Sequence, residues 1–326
     1  MTLMSTAGAS PASGALRMTP GRWAALAIGV PVALALIGWT GFTLVSTVGR
    51  GSYAFSYPVL VHDGQVTVNA NLGDITLRQT SGRTALLTGV VQYGLIRPGI
   101  TESATPGGAD LGVNCDGVDT NCGANATLAV PAKTAVTVSS GGGDIGGSGL
   151  ASNITLSAEG GNVTASKLSG DLRLDTGGGD LTGSGLTGTI QFTTEGGNID
   201  ASNLGGPMRM DTGGGDLTGN GLTGDLQVFT EGGNVDGNAL ASRQVVVQSG
   251  GGDVTVMFTE PPTNLQITAQ GGNITVVLPH GDTKYDITTP DTQGGNVSYP
   301  STLVSATSQH TITADSGGGG ISITDG

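Results

Sequence analysis

The feature that most constrains this chain is a glycine run that returns every eighteen residues and ends in Asp or Asn. We call the residue that ends each run the anchor. The evenly spaced anchors are Asp144, Asn162, Asp180, Asn198, Asp216 and Asn234. With looser spacing the series continues through Asp253, Asn273 and Asn296 to a glycine run ending at Gly320, and an earlier copy, LGDITL, centres on Asp74. A fixed period of this length predicts stacked repeats rather than a globular core.

Apolar residues recur at fixed distances from each anchor. The next residue is apolar, as in Ile145 and Val297, and a leucine follows six residues after the evenly spaced anchors, as in Leu150. Further on, apolar residues are spaced by two, which is the side-chain period of a β-strand. Glycines between these columns mark turns; they are Gly170, Gly188, Gly206 and Gly224. Each repeat therefore predicts one coil of strand, turn, strand and turn.

These patterns predict an all-β fold, a single-stranded β-solenoid or β-helix of about ten coils. One coil cannot bury its apolar face alone, whereas stacked coils share a ladder of Leu, Ile and Val at about 4.8 Å per coil, giving a rod of about 45 Å. The chain has 60 glycines and only 4% aromatic residues. This composition suits ladders better than a core built on large aromatic rings.

Charged residues alternate between neighbouring repeats, so that the full unit has 36 residues. Asp anchors alternate with Asn anchors, which doubles the distance between stacked carboxylates and keeps a side chain that can bond to the turn backbone. On an outward column Arg173 and Arg209 alternate with glutamines, and an aspartate follows two residues after each arginine. We expect these charges to form pairs between coils.

The N-terminal part of the chain differs from the repeats in charge and hydropathy. Residues 23–48 contain no charged residue and predict one transmembrane helix, with a cleaved signal peptide as the alternative. Arg17 and Arg22 precede it, so that residues 1–22 form a disordered cytoplasmic tail and the repeats lie outside the plasma membrane. Irregular coils and a Cys-loop cap follow over 49–138, and the repeats occupy 139–326. Residues 51–326 carry nine Lys/Arg and 25 Asp/Glu, a net charge of 9 − 25 = −16, which excludes nucleic acid as a natural partner.

The cysteine pair and the aspartate-rich segments are the candidates for a disulfide and for a calcium site. Cys115 and Cys122 do not have CxxC spacing and predict a small disulfide loop, with a pair of free thiols as the alternative. GGGD runs are reminiscent of calcium-binding β-rolls, but the period and the Asn anchors leave too few carboxylates for a regular oxygen cage. The loop with Asp110, Asp116 and Asp119 is the better calcium candidate, although a solvated acidic turn is the favoured interpretation. We therefore predict no metal site.

The sequence predicts neither catalysis nor a cofactor. The two G-x-G-x-x-G runs, residues 183–188 and 219–224, occupy equivalent repeat positions without a following helix, so we interpret them as turn glycines rather than a dinucleotide site. His62, His280 and His310 are far apart and are predicted to be surface or turn residues. The carboxylates of the repeats recur in equivalent surroundings, whereas an acid and a base need different ones.

Four motifs together resemble the bacterial putative-adhesin β-strand-repeat family. They are LGDITL (72–77), the Cys115 to Cys122 loop, LAVPAKTAVTVSS (128–140) and the coils from Asp144 onward, preceded by one membrane segment. The resemblance covers nearly all of the exported region. It implies a cell-surface β-solenoid with adhesin-like character, and it brings no catalytic residues.

The function expected from these observations is that of an extracellular, membrane-anchored structural or adhesin-like protein without enzymatic activity. Its repetitive polar surface would contact cell-wall polysaccharide, other glycans or a surface protein. The alternatives are a carbohydrate-active enzyme on a β-helix and an accessory or sensor subunit of an envelope-stress system. Because the C-terminal GGGGISITDG shows no cap, we also expect an open end that a partner or a second copy covers, with end-to-end self-association as one outcome.

Overall fold

The computed structural model describes residues 51–71, 73–94, 97–105, 108–114, 122–290 and 294–326. The predicted cytoplasmic tail 1–22 and transmembrane helix 23–48 lie outside these residues. Within the described ranges, no helix has both the length and the apolar character that a membrane crossing requires.

Short strands follow one another through the described chain, since apolar and polar residues alternate in brief runs between glycine-rich turns. The N-terminal strands are β1 (Gly51–Val59), β2 (Gln65–Ala70), β3 (Asp74–Thr80), β4 (Ala85–Tyr93), β5 (Gly99–Thr105), β6 (Gly108–Asn114) and β7 (Gly123–Pro131). The repeat strands are β8 (Ala135–Ser140), β9 (Ile145–Ser148), β10 (Ile154–Ala158), β11 (Val163–Ser166), β12 (Leu172–Thr176), β13 (Leu181–Ser184), β14 (Ile190–Thr194), β15 (Ile199–Ser202), β16 (Met208–Thr212), β17 (Leu217–Asn220), β18 (Leu226–Thr230), β19 (Val235–Leu240), β20 (Gln244–Ser249), β21 (Val254–Phe258), β22 (Asn264–Ala269) and β23 (Ile274–Leu278). The C-terminal elements are β24 (Asp286–Thr288), β25 (Val297–Ser298), a short 3-10 helix (Ser301–Leu303), β26 (Thr311–Ser316) and β27 (Ile321–Asp325).

From β8 onward the strands alternate between two sheets, so that each coil supplies one strand to each sheet. Sheet A has the order β1-β4-β7-β3-β9-β11-β13-β15-β17-β19-β21-β23-β27-β25, and sheet B has the order β24-β26-β22-β20-β18-β16-β14-β12-β10-β8-β2-β6-β5. Repeat strands are parallel and in register, with Ile154 opposite Leu172 and Leu172 opposite Ile190. The predicted all-β architecture of stacked parallel strands is thereby confirmed.

The core consists of apolar ladders between the two sheets, as the periodicity predicts. The leucines six residues after the anchors are all buried; they are Leu150, Leu168, Leu186, Leu204, Leu222 and Leu240. The residue after each anchor is buried as well from Ile145 to Ile321, with one exception. Val297 was expected in this inward column, but it lies on the edge strand β25 and is exposed.

At the N-terminal end, a segment leaves the solenoid and returns to it. Strands β2 and β3 pair directly with β8 and β9, so that Ile75 lies opposite Ile145. The intervening strands stack on the far side, where β7 pairs with β3 in parallel and β4 and β1 continue in antiparallel orientation. In sheet B, β6 pairs with β2 and the antiparallel β5 forms the edge. The parallel ladder is therefore ended by antiparallel strands at this end.

The C-terminal end also departs from chain order, and the last coil is not left open as expected, because short strands of the preceding segment cover part of it. Strand β27 lies between β23 and β25, so that the final coil is inserted beneath the one that precedes it in sequence. Pro279, Pro290 and Pro300 interrupt the segment that forms the outer layer. Proline cannot donate to a strand ladder, which explains why β24 and β25 are short and occupy edges, while the proline-free final coil takes the inner position.

Candidate interaction surface

The anchor side chains form a hydrogen-bonded ladder along one side of the solenoid. In each step, Oδ1 of one anchor accepts the backbone N–H of the next, as when Asn162 N–H donates to Asp144 Oδ1 at 2.8 Å and Asp180 N–H donates to Asn162 Oδ1 at 2.8 Å. The ladder runs through Asp74, Asp144, Asn162, Asp180, Asn198, Asp216, Asn234, Asp253, Asn273 and Gly320. Asp and Asn serve equally because both offer Oδ1.

Asn296 stands apart from this ladder. The amide oxygen of Asn273 accepts the N–H of Gly320 at 2.9 Å, and the backbone carbonyl of Asn296 accepts the N–H of Ile321 at 2.8 Å. The reversed order of the last two coils therefore gives Gly320 the position next to Asn273. Gly320 lacks a side chain, so the ladder ends there.

A second ladder, which the sequence patterns did not predict, consists of buried hydroxyl groups. Thr212 is fully buried; it donates its hydroxyl to the carbonyl of Gly197 in the preceding coil at 3.0 Å and accepts the N–H of Gly215 at 3.1 Å. The other hydroxyls that accept a glycine N–H three residues on are those of Ser140, Thr176, Thr194, Thr230, Ser249 and Ser316. In the sequence, this ladder corresponds to a Thr or Ser three residues before the last glycine of these runs. A search for the spacing of apolar residues does not detect it.

The last glycine of each run is required by the close stacking of the turns rather than by its own backbone conformation. A Cβ atom at Gly197 would overlap the carbonyl oxygen of Gly179, and one at Gly215 would overlap that of Gly197. By contrast, a Cβ at the neighbouring Gly196 would meet nothing. The glycine run thus brings successive backbones close enough for the two ladders to form.

Outward residues of sheet B carry ion pairs, although not in the arrangement expected. Arg173 Nε lies 2.7 Å from Asp175 Oδ2, and Arg209 Nη2 lies 3.0 Å from Asp211 Oδ2, each pair within one strand. The expectation that pairs join different coils is wrong here, because residues two apart on a strand share a face and are already within reach. Between coils, the Arg209 guanidinium instead covers the ring of Phe229, 4.0 Å from its centroid.

Two open grooves follow each other on this outer face of sheet B. The first, which we call the Thr193 groove, has a volume of about 530 Å³ and is lined by residues that include Ser157, Glu159, Arg173, Asp175, Thr193 and Glu195. The second, the Phe229 groove, has about 510 Å³ and a lining that includes Arg209, Asp211, Phe229, Glu231, Gln248 and Gln270. Each of four positions in the second groove lies 36 residues after its counterpart in the first, and these four pairs carry the same residue except for Thr193 and Phe229.

The repeat strands of sheet A present outward columns of small polar side chains. Thr164, Thr182 and Thr218 are exposed in one outward column, with Asp200 between the last two. A parallel column holds Ser166, Ser184, Ser202 and Asn220. Both outer faces are therefore polar and repetitive, but the two grooves described above belong to sheet B.

The linings of these grooves do not include the remaining sequence candidates that the structure describes. Cys122 is disulfide-bonded, whereas Cys115 lies outside the described residues, as do Asp116, Asp119 and the side chain of Asp110. No group of three or more His, Cys, Asp or Glu that could hold a metal is found among the residues the structure describes. The first G-x-G-x-x-G run begins in β13 and continues into a turn, where Gly185 and Gly188 have positive φ angles.

The three histidines are scattered. His62 contacts Asp63 at 3.3 Å near the N-terminal end, and His280 contacts Asp325 at 3.3 Å near the C-terminal end. His310 Nδ1 lies 2.7 Å from the carbonyl oxygen of Pro262, and its ring packs edge-on against Tyr285. Each is thus engaged locally, and the structure does not bring them together.

Tyr285 is a titratable residue whose pKa is strongly shifted. Its side chain is buried in the C-terminal layer, and its hydroxyl has no hydrogen-bond partner among the described residues. Burial, reinforced by the negative charge of Asp325, raises the pKa of Tyr285 to about 12. This pKa makes the residue a reporter of packing in the C-terminal layer.

The stacked parallel strands, the paired ladders and the repeated polar faces define a β-solenoid of the repeat class. The chain belongs to the Toastrack DUF4097 family, whose model matches residues 59–324. This agrees with the family resemblance found in the sequence motifs. The comparison with curated proteins gave no significant match.

Several solved structures resemble the chain at low identity. A structure from Bacteroides fragilis NCTC 9343, described as a "putative adhesin", has 16% identity and a TM-score of 0.36 and covers 84% of this chain and 97% of its own. Another "putative adhesin", from Parabacteroides merdae ATCC 43184, has 13% identity and a TM-score of 0.33, covering 84% and 96%. A "putative cell adhesion protein" from Clostridium sporogenes ATCC 15579 has 12% identity and a TM-score of 0.22, covering 85% and 100%.

Proposed function

We propose that this protein is a membrane-anchored, adhesin-like rod of about ten coils that presents repeated polar faces outside the cell and catalyses no reaction. The observation that carries the proposal is the use of the motif residues in stacking. The anchors hydrogen-bond to neighbouring turns, and the buried hydroxyls and the glycines hold those turns together. The side chains left for contact with other molecules are those of the outward columns.

The repetition of those columns supports binding rather than catalysis. Arg173 and Asp175 recur as Arg209 and Asp211 with an equivalent ion pair, in the same register and two coils away. A catalytic acid and base require environments that differ from each other, and carboxylates repeated at equivalent positions with equivalent ion pairs do not provide that difference. Many weak contacts repeated along a rigid rod, in contrast, combine into strong attachment.

The anchoring part of the proposal rests on the sequence before β1. The uncharged residues 23–48 end close to Gly51, where β1 begins, and they are long enough to cross a bilayer once. The arginines before them favour a cytoplasmic N-terminus. The solenoid would then start directly at the extracellular surface of the plasma membrane and project from it.

The proposal is tested by measuring retention of the full-length protein, in detergent micelles, on arrays of cell-wall fragments, polysaccharides and surface proteins. We expect retention that depends on the outward columns, together with no turnover of any polysaccharide on the array. An absence of retention on every surface would contradict the adhesive function, and release of products would favour an enzyme. In intact cells carrying a C-terminal tag, added protease should remove the tag; a protected tag would contradict the proposed orientation.

A further inference from the structure

The Phe229 groove differs from the rest of the polar surface because it combines an aromatic ring with amide and carboxylate side chains. Phe229 is half-buried in β18, and Glu231, Gln248 and Gln270 around it are exposed. The side chains of Gln248 and Gln270 make no hydrogen bond to any residue within the described ranges, so their donors and acceptors remain available. An aromatic ring next to planar hydrogen-bonding groups suits a ligand with an apolar ring face and a rim of hydroxyls.

The charges of the groove indicate that the ligand is not an anion. Asp211 neutralises Arg209 at 3.0 Å, and the ring of Phe229 covers the guanidinium, so that this cation is already engaged on two sides. Glu231 adds a negative charge to a chain region whose net charge is −16 by the count given above. A polyanion would be repelled from this surface. Hydroxyl groups, in contrast, can both donate to the carboxylates and accept from the glutamine amides.

The spacing of the two grooves indicates a polymer. Thr193 and Phe229 occupy the same outward column, and their strands β14 and β18 are separated only by β16. Two coils correspond to about 9.6 Å along the solenoid axis. A linear polysaccharide in which every second sugar has the same orientation would place equivalent units in both grooves.

From these observations we propose that the outer face of sheet B binds an uncharged, β-linked polysaccharide along the solenoid axis, with one sugar packed on the face of Phe229 opposite the Arg209 guanidinium and the polysaccharide continuing into the Thr193 groove. This inference rests on the proposed surface-binding function and specifies its ligand class and site. The Phe229 groove is the stronger subsite because the Thr193 groove has a threonine in place of the aromatic ring.

The natural difference between the grooves supplies matched variants. Phe229→Thr gives the stronger groove the residue found at the equivalent position of the weaker one, and Thr193→Phe does the reverse. Thr182→Phe adds the same ring to an exposed position of sheet A and serves as the control. Thermal unfolding checks that each variant folds, and the folded fraction sets the concentration used for binding.

Binding is measured by calorimetric titration of the full-length protein with β-1,4-linked N-acetylglucosamine and glucose oligosaccharides, from disaccharide to octasaccharide. We expect Phe229→Thr to weaken binding at least about tenfold. Thr193→Phe should strengthen binding of the long oligosaccharides at least about tenfold while leaving the disaccharide unchanged, because only a long ligand reaches both grooves. Thr182→Phe should bind like the unaltered protein.

Two outcomes would overturn the inference. One is that Phe229→Thr binds the oligosaccharides as tightly as the unaltered protein does. The other is that the unaltered protein does not bind neutral oligosaccharides, whether or not it binds polylysine or heparin instead. In either case, retention of the unaltered protein on envelope material would leave the proposed function standing. Loss of that retention as well would contradict both.

Discussion

The carboxylate of Asp180 accepts the backbone N–H of Asn198, one coil further along, at 2.8 Å. Asn198 in turn accepts the N–H of Asp216 at 2.9 Å. Either amino acid could fill each step, since the hydrogen bond uses only Oδ1. The strict alternation of Asp and Asn in the evenly spaced repeats is therefore explained by charge, because a continuous column of aspartates would place carboxylates about 4.8 Å apart.

Replacing Asn198 with aspartate should show how much the repulsion between stacked carboxylates destabilises the fold. Asn198→Asp keeps the acceptor but puts a third carboxylate between Asp180 and Asp216, and we expect a loss of about 1 kcal/mol in the free energy of unfolding at neutral pH and low salt. The loss should shrink as salt screens the charges and as acid protonates the carboxylates. Denaturant unfolding at several salt concentrations measures it, with the exposed Asn220→Asp, between Ser202 and Asn238, as the control. A salt-independent loss would contradict the charge explanation.

The buried hydroxyl of Thr212 should contribute to the stability of the fold through its two hydrogen bonds. Thr212→Val keeps the shape but removes the acceptor for Gly215 N–H and the donor to Gly197, and we expect a loss of about 1–3 kcal/mol. Thr212→Ser keeps the hydroxyl and should lose less. Equal stability of the valine variant and the unaltered protein would show that this ladder does not stabilise the fold.

Adjacent glycines of the same run should respond differently to alanine. At Gly197 a Cβ would overlap the carbonyl of Gly179, so Gly197→Ala should cost about 3 kcal/mol or more by forcing two coils apart. At Gly196 a Cβ meets nothing, and Gly196→Ala should change stability by less than about 0.5 kcal/mol. Thermal unfolding compares the two. Similar losses at both positions would contradict the requirement for close stacking.

The periodicity of the sequence was sufficient to predict the coils, because inward columns are a local property of each repeat. It was not sufficient for the ends. The insertion of β27 beneath β25 depends on pairing between residues far apart in sequence, and nothing local distinguishes the anchor Asn296 from Asn273 except the prolines nearby. The buried Thr212 was missed because a polar residue carries no apolar signal. The grooves require the register of neighbouring strands, which brings Arg209 and Phe229 together.

Alkaline pH should destabilise the C-terminal layer through Tyr285. Its pKa is raised from 10.0 to about 12 in the folded protein, so the folded state holds the proton more tightly than the unfolded state. Relative to its value below pH 10, the free energy of unfolding should therefore fall as pH rises through about 12, by about 2–3 kcal/mol in total. Tyr285→Phe removes a buried hydroxyl without a described partner and should abolish this dependence without loss of stability at neutral pH. Unfolding followed between pH 9 and 12 tests it, and an unchanged alkaline loss in the variant would contradict the assignment to Tyr285.

The interchangeability of the repeats is tested most directly by deleting one complete unit. Removal of residues 163–198 takes out 36 residues, joins Asn162 to Ile199 and preserves the alternation of anchors, while the Phe229 groove remains. We predict that this protein folds cooperatively and is retained on envelope material more weakly than the full chain, because it has lost the Thr193 groove. Deletion of residues 163–189, which shifts the register by half a coil, should prevent folding. A cooperatively folded 36-residue deletion without any retention would contradict the account, since it would place the function in a single unrepeated site.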